Sequence, residues 1–301
     1  MVFTYTGYNL SISSTFPLPE LQPITLQPSA PAEISIRLGT LPKPHPEGLS
    51  RPFGDEEEYC LMEGIGDFLV RHGREIIVEP QPDVEAAILR HYLLGWVMAI
   101  LLRQRGMLML HASGVAVGGR AIIFFGPSGS GKSTTAAAFV KQGATLLADD
   151  YVAIRLNDDP RCRNCELLPS FPRLRLTDRS AALLSHTAER VPPYTPETQK
   201  HSYLIAQEEL SLVLPLRRIY LLAEGESIRI EAVEPQSTFF DLTLGTHFRH
   251  QKMNSALQAR LFRQCTQLVR MVPMRRLNIP RELSALPGLV RLVETDLADD
   301  K

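Results

Sequence analysis

Cysteine is scarce in this chain of 301 residues: Cys60, Cys162, Cys165 and Cys265 are its only four. They are too few and too unevenly spread for a disulfide framework, so free thiols in a reducing, cytoplasmic setting are expected. Net charge is almost absent too, with 32 Lys and Arg against 33 Asp and Glu, a formal charge of −1. No global basic field exists to draw the chain to nucleic acid or to an anionic membrane, so neither partner is expected and any phosphate site must be local. The opening Met1-Val-Phe-Thr-Tyr-Thr-Gly lacks the basic and apolar regions of a secretory signal, which argues against export. The most apolar stretch, Ala86 to Leu102, carries Arg90 and His91 and falls short of the ~20 residues needed to cross a bilayer, so it reads as a buried helix. No repeat period is visible. With 44% hydrophobic and 22% charged residues, collagenous, low-complexity and wholly disordered classes are excluded. The length allows two domains, or one elaborated domain, with a sizeable core.

Residues 1–80 alternate apolar and polar positions in short runs, as in Tyr8-Asn-Leu-Ser-Ile-Ser and Ile34-Ser-Ile-Arg-Leu, with proline-rich breaks at 17–23 and 42–52. That pattern predicts a β-rich N-terminal region, with a hairpin across Asp67 to Val78 turning at His72-Gly73. Asp83 can cap the apolar helix that follows, and Gly106 can end it. From Met107 the order changes to strand, strand, glycine loop, helix, strand. Met107–His111 and Gly114–Val117 read as strands, Gly118-Gly119 as a tight turn, and Ala121–Phe125 as a buried strand. Ser133 to Gln142 is helical and stops at Gly143; Thr145–Ala148 then delivers Asp149-Asp150. Residues 152–301 mix short strands (219–222, 228–230) with helices (236–243, 254–271, 282–294) and are expected to complete the same domain. The predicted fold class is α/β: a P-loop nucleotide-binding domain over 81–301, preceded by the small β-rich region over 1–80.

Gly126-Pro127-Ser128-Gly129-Ser130-Gly131-Lys132-Ser133 satisfies G-x-x-x-x-G-K-[ST], with a strand before it and a helix after it, as a phosphate loop requires. Its glycines let successive N–H groups converge on an anion, and the helix N-terminus adds positive dipole through Thr134. Lys132 can reach the β and γ phosphates of ATP, and the Ser133 hydroxyl can ligate Mg²⁺. Asp149 and Asp150 end the next strand, where a parallel sheet places ligands. One carboxylate can hold the magnesium through water while its neighbour accepts a proton from an incoming hydroxyl. His111 ends the strand before the loop. Arg173, Arg175 and Lys200 are candidate cations for a developing phosphoryl charge.

The run Leu110-His111-Ala-Ser, the loop Phe125-Gly-Pro-Ser-Gly-Ser-Gly-Lys-Ser, and Lys141-Gln-Gly-Ala-Thr-Leu-Leu-Ala-Asp149-Asp150 together resemble the catalytic core of the bacterial HPr kinase/phosphorylase family. The resemblance implies a P-loop α/β domain and ATP-dependent phosphorylation of a protein serine. It gives His111 the family's active-site histidine position, Lys132 the loop lysine, Ser133 the magnesium ligand, and Asp150 the proton acceptor with Asp149 beside it. Residues 1–80 do not resemble that family's own N-terminal domain. Leu168-Pro-Ser-Phe-Pro-Arg-Leu-Arg-Leu176, Val272-Pro-Met-Arg-Arg-Leu-Asn-Ile-Pro-Arg281, Tyr8-Asn-Leu-Ser-Ile-Ser-Ser and Leu18-Pro-Glu-Leu21 are more similar to the HPr-kinase-related proteins of peptide-modification systems. That group includes kinases acting on a serine of lasso-peptide precursors. Family members often form hexamers, so a homo-oligomer is compatible with the resemblance. Three other readings stay open: a bifunctional HPr kinase/phosphorylase, a kinase for a small-molecule hydroxyl, and a regulatory P-loop NTPase with no acceptor.

Cys162-Arg-Asn-Cys165 has the spacing of half a zinc site, yet no second pair accompanies it; His247 and His250 likewise lack a third ligand. Both are read as structural. Asp158-Asp159-Pro160 reads as a turn and Asp299-Asp300-Lys301 as a frayed tail.

Overall fold

The structure is a computed structural model that describes residues 1–25, 31–42, 50–54, 56–157, 164–184, 188–195, 199–207, 213–246 and 254–299. The chain forms a mixed α/β fold with several sheets, divided into two compact units, Met1–Met109 and Leu110–Lys301.

In the first unit, eight strands form one sheet: β1 (Phe3–Gly7), β2 (Leu10–Ser14), β3 (Gln22–Pro23), β4 (Ile34–Leu38), β5 (Ser50–Gly54), β6 (Glu57–Met62), β7 (Gly66–Arg71) and β8 (Glu75–Pro80). Their spatial order is β3-β1-β2-β4-β8-β7-β6-β5. Alternation does what period-2 patterning demands: Leu10, Ile12 and Ser14 of β2 are buried, as are Ile34 and Ile36 of β4. Tyr8 and Asn9, both at positive φ (55° and 57°), turn β1 into β2. His72 (φ 52°) and Gly73 (φ 62°) turn β7 into β8 at the predicted position.

The apolar segment forms α1 (Ala86–Tyr92), a π-helical turn over Leu93–Val97, and α2 (Met98–Gln104). Together these make 19 continuous helical residues, long and apolar enough to cross a membrane by length and composition alone, so the length argument made from the sequence does not hold. Burial identifies the segment instead: 61% of its apolar window lies inside the fold, and Leu93, Val97, Met98 and Ile100 are fully buried. Asp83 does not cap it. Asp83 stands at φ 62°, and the N-cap is Glu85, which makes no side-chain capping bond.

The expected boundary after residue 80 also moves, because this helix belongs to the first unit. Arg103 pairs with Glu58 of β6, and the Gly73 N–H donates to Gln104 Oε1 at 2.8 Å. A long apolar helix cannot stand alone in water, and the first sheet supplies the surface that covers it.

Strand β9 (Leu108–Leu110) leads into the second unit. There follow β10 (Ala112–Val117), β11 (Arg120–Phe125), α3 (Lys132–Lys141), β12 (Thr145–Asp149), β13 (Val152–Leu156), β14 (Cys165–Leu168), β15 (Arg173–Leu176), α4 (Asp178–Ala181), β16 (Ala188–Thr195), β17 (Lys200–Ile205), β18 (Leu214–Glu224), β19 (Arg229–Ala232), α5 (Pro235–Leu244), α6 (Ser255–Met271), β20 (Met274–Ile279) and α7 (Leu286–Ala298). Strand β18 is the hub. It pairs parallel with β11 on one side and with β20 on the other, while its start pairs antiparallel with β14.

On the far side of β11 the arrangement differs from a simple parallel sheet. β10 pairs antiparallel with both β11 and β12, so it lies between the loop strand and the strand that carries the acids. Two antiparallel steps restore direction, and the carboxyl end of β12 still emerges beside that of β11. β15, β17 and β16 form a separate antiparallel sheet. The core of the unit sits under α3. Ala136 and Ala137 are fully buried, and their small size lets the helix backbone approach Phe124 and Tyr220 of the sheet and Leu289 and Val293 of α7. Phe124 meets Phe139 at 5.2 Å between ring centroids.

Candidate active site

Phe125 ends β11 and the chain enters the glycine loop. At Gly126 a side chain is excluded: a Cβ there would stand 2.9 Å from Ser130 Oγ and 3.1 Å from the Leu222 carbonyl. At Gly131, the N-cap of α3, φ is 93°, a value that favours glycine. Helix α3 begins there, with Thr135 N–H donating to Gly131 O at 2.8 Å. Lys132 folds back over the loop and donates from Nζ to the carbonyls of Gly126 and Pro127, each at 3.0 Å. It is only 6% exposed. Burial lowers its pKa to about 8, against the pull of Asp149 and Asp150 in the other direction.

The acids take different roles. Asp149 is held on three sides: Oδ1 accepts from Ser113 Oγ at 2.5 Å and from Ser133 Oγ at 2.9 Å, and Oδ2 accepts from the Arg175 backbone N–H at 2.9 Å. Burial, then repulsion from Asp150, pushes its pKa up to about 6, while the three hydrogen bonds oppose the rise. Asp150 adopts φ 64°, a left-handed conformation that aspartate tolerates better than most residues. Its Oδ2 accepts from Arg175 Nη1 at 3.3 Å. Burial acts upward here too, but Arg175 first, then His111, Lys200 and Arg173, outweigh it and hold Asp150 at about 2. His111 Nδ1 lies 3.2 Å from the Asp150 carbonyl oxygen, a bond that requires the proton on Nδ1. Burial, then Lys132, lowers the His111 pKa, against the opposing pull of the Asp150 carboxylate and carbonyl.

A cavity of about 230 Å³ brings His111, Lys132, Ser133, Asp150, Arg175 and Lys200 onto one wall system, together with Ser128, Gly129, Gly131 and Thr134 of the loop. Gly126, Pro127 and Ser130 lie outside that lining. The first two serve through the carbonyls that hold Lys132, and Ser130 N–H closes the loop onto Pro127 O at 3.2 Å. Asp149 stands behind Ser133. Arg173 is buried, with its guanidinium 4.7 Å from the centre of the Phe171 ring, and does not line the cavity.

Sequence reasoning missed Ser113, a fully buried hydroxyl that helps set Asp149. Its place opposite Asp149 follows from the long-range pairing of β10 with β12, which no local pattern announces. It also missed the wall formed by Thr177 and Ser180, where Thr134 Oγ1 and Ser180 Oγ lie 3.0 Å apart.

Ser133 Oγ and Asp149 Oδ1 are hard oxygen donors at the helix start. They suit a small divalent cation held jointly with substrate phosphates more than an all-protein cage. Among the described residues no group of three or more His, Cys, Asp or Glu side chains could hold a metal by itself. Cys165 is buried, with Sγ 3.8 Å from Met271 Sδ, whereas Cys162, His247 and His250 lie outside the described residues.

No family model and no curated protein matches this chain. Among solved structures, the HPr(Ser) kinase/phosphatase from Coxiella burnetii is similar over 63% of this chain and 98% of its own, at 12% identity and a TM-score of 0.30. The functional reading therefore rests on the geometry of the site.

Proposed function

We propose that this protein is a phosphotransferase that moves the γ-phosphoryl group of Mg-ATP to a hydroxyl, with a serine of a protein or peptide as the acceptor. One observation carries the reading. A glycine loop at a helix N-terminus, its lysine, its serine and the Asp150 carboxylate meet at one cavity, with Asp149 bonded to that serine, and the two acids are differentiated by their surroundings. A loop that only gripped phosphate would need the first acid; the second, facing the cavity, suits proton transfer.

Backbone N–H groups of Gly129 to Thr134 receive phosphate oxygens, helped by the α3 dipole. Lys132 exchanges the carbonyls of Gly126 and Pro127 for the transferring phosphate. Asp149 orients Ser133, and through it the metal position. Mg²⁺, when bound there, neutralises charge on the β and γ oxygens. Asp150 is ionised throughout the neutral range and takes the proton of the attacking hydroxyl. Its base strength rises as the Arg175 guanidinium turns from the carboxylate to the phosphoryl oxygens. His111 holds the Asp150 backbone and Lys200 adds charge at the acceptor side. The sequence resemblance to HPr-kinase-related proteins favours a peptide acceptor, including a lasso-peptide precursor.

The test is incubation with γ-labelled ATP and candidate acceptors, with Lys132→Ala as control. Label on a peptide or protein serine supports the proposal. Free phosphate alone would make the protein a slow NTPase, and a labelled metabolite would make it a small-molecule kinase.

A further inference from the structure

Among the described residues, every large apolar side chain that the second unit leaves exposed lies on two neighbouring helices. Phe240 and Leu244 of α5 are 66% and 59% exposed, and Phe262 of α6 is 58% exposed. One helical turn apart, Phe240 and Leu244 share a face of α5. Phe239 joins the two helices, its ring centre 5.1 Å from that of Phe262 and 5.9 Å from that of Phe240. Leu244 also lines a cavity of about 350 Å³ whose other apolar walls are Phe125, Pro127, Leu221, Leu222 and Ala223. Two charged side chains share that lining, Asp241 of α5 and Arg276 of β20, and neither has an ion-pair or side-chain hydrogen-bond partner among the described residues.

This cavity is tied to the catalytic one through backbone contacts. Its Gly126 and Pro127 supply the carbonyls that hold Lys132. Its Gly245 accepts from the His111 N–H at 3.2 Å, and Leu110 bridges to Thr246 beside that bond. Only glycine permits so close an approach, since a Cβ at Gly245 would stand 2.0 Å from Cζ of Phe125.

We infer that the cavity and the apolar strip over α5 and α6 dock the acceptor, a polypeptide segment that seats an apolar side chain beside Leu244 while its serine reaches Asp150. The inference rests on the phosphoryl-transfer reading above. Contiguous apolar surface left exposed on a folded domain marks a contact for a partner. The extent of the surface selects a polypeptide over a small molecule, because a pocket for a metabolite has no need of Phe240 and Phe262 outside it. Apolar walls with a few unpartnered polar groups give a pocket both affinity and orientation. Here the two charges are opposite in sign and come from different elements, so they give the segment a direction: a basic residue on the α5 side of the apolar anchor and an acidic one on the β20 side.

The experiment is phosphorylation of an arrayed library of serine-centred peptides by the full chain with γ-labelled ATP, each flanking position being scanned through all residue types. Wild type is expected to select Leu or Phe at one fixed position by about tenfold, in keeping with the burial of one large apolar side chain. Leu244→Glu should reduce that selection to within about twofold and Phe240→Ser should lower it about threefold, with Mg-ATP affinity by calorimetry held within about twofold in both. Arg276→Glu should invert the charge preferred beside the anchor. Labelling without an apolar preference, or a preference that survives Leu244→Glu, overturns the assignment. So does a wild-type dimer in sedimentation that Phe262→Ser dissolves, because a second copy of the chain would then cover the strip. If Leu244→Glu fails to fold, Phe240→Ser decides alone. A chain that binds Mg-ATP and labels no peptide refutes the peptide-kinase reading itself, an outcome distinct from a misplaced dock.

Discussion

The second unit encloses charge in two places, and the two differ in what faces them. On the α7 side, Arg218 of β18 is 1% exposed and pairs with Asp296, whose Oδ2 also accepts from Tyr220 OH at 2.7 Å. Burial and the neighbouring Asp296 keep that phenol protonated. The three side chains do not line the catalytic cavity; they pin α7 to the sheet. On the other side of the unit, Lys132 has carbonyls as its hydrogen-bond partners, Asp149 is held by serines and a backbone N–H, and Arg175, Lys200 and Asp150 open on a cavity. Burial of charge is common to both. What separates a site from a staple is donor and acceptor capacity left facing a space that a ligand can fill.

Breaking either cluster should break a different property. Asp150→Asn should lower phosphoryl transfer by ~10²–10⁴-fold while Mg-ATP still binds, measured by steady-state rates alongside calorimetry. Loss of nucleotide binding instead would make Asp150 a metal ligand and shift the base to Asp149. Lys132→Ala should cost ~10²–10³ in rate with no fall in melting temperature, because the buried ammonium it removes was itself costly to bury. Asp296→Ala should do the reverse. It removes the ion-pair partner of a buried guanidinium and should cost ~3–5 kcal/mol in denaturant unfolding, with turnover per folded molecule unchanged. Ser113→Ala removes one of three restraints on Asp149 and should cost ~1 kcal/mol, read as a higher Mg²⁺ requirement that Ser113→Thr restores. The smallest effect concerns thiols. Burial raises Cys165 to about 11 and Cys265 to about 12, so both stay protonated at pH 8 and should alkylate only after unfolding, which mass spectrometry would show.

The loop was legible because its requirements are local. A strand, a run of small residues and Lys-Ser at a helix start lie within a few positions of one another, and each glycine answers to a backbone need on the spot. The hairpin at His72-Gly73 was legible for the same reason. The partners of Asp149 were not. Ser113 and the Arg175 N–H lie 36 and 26 residues away in sequence, and their convergence follows from β10 inserting between β11 and β12 and from the separate sheet that carries β15. Nor was the allegiance of the helix at 86–104. Its composition suits a core helix of either unit, and the choice is made by the surface that covers it, together with the ion pair from Arg103 to Glu58. Arg173 and Arg175 looked equivalent as alternate residues of one strand, yet the fold brings a different partner to each: the Arg173 guanidinium lies over the Phe171 ring, whereas Arg175 reaches Asp150.

The order of residues alone determined where backbone amides are free to gather on an anion, since that depends on φ values only glycine adopts readily and on a helix starting next to them. Tertiary structure alone decided which acid is braced and which faces the cavity. It decided which cations and acids share a cavity with the loop, because that depends on strands far apart in the chain arriving beside one another. Local stereochemistry is written in neighbouring residues; the electric environment of a carboxylate is set by whatever the fold brings within a few ångströms of it.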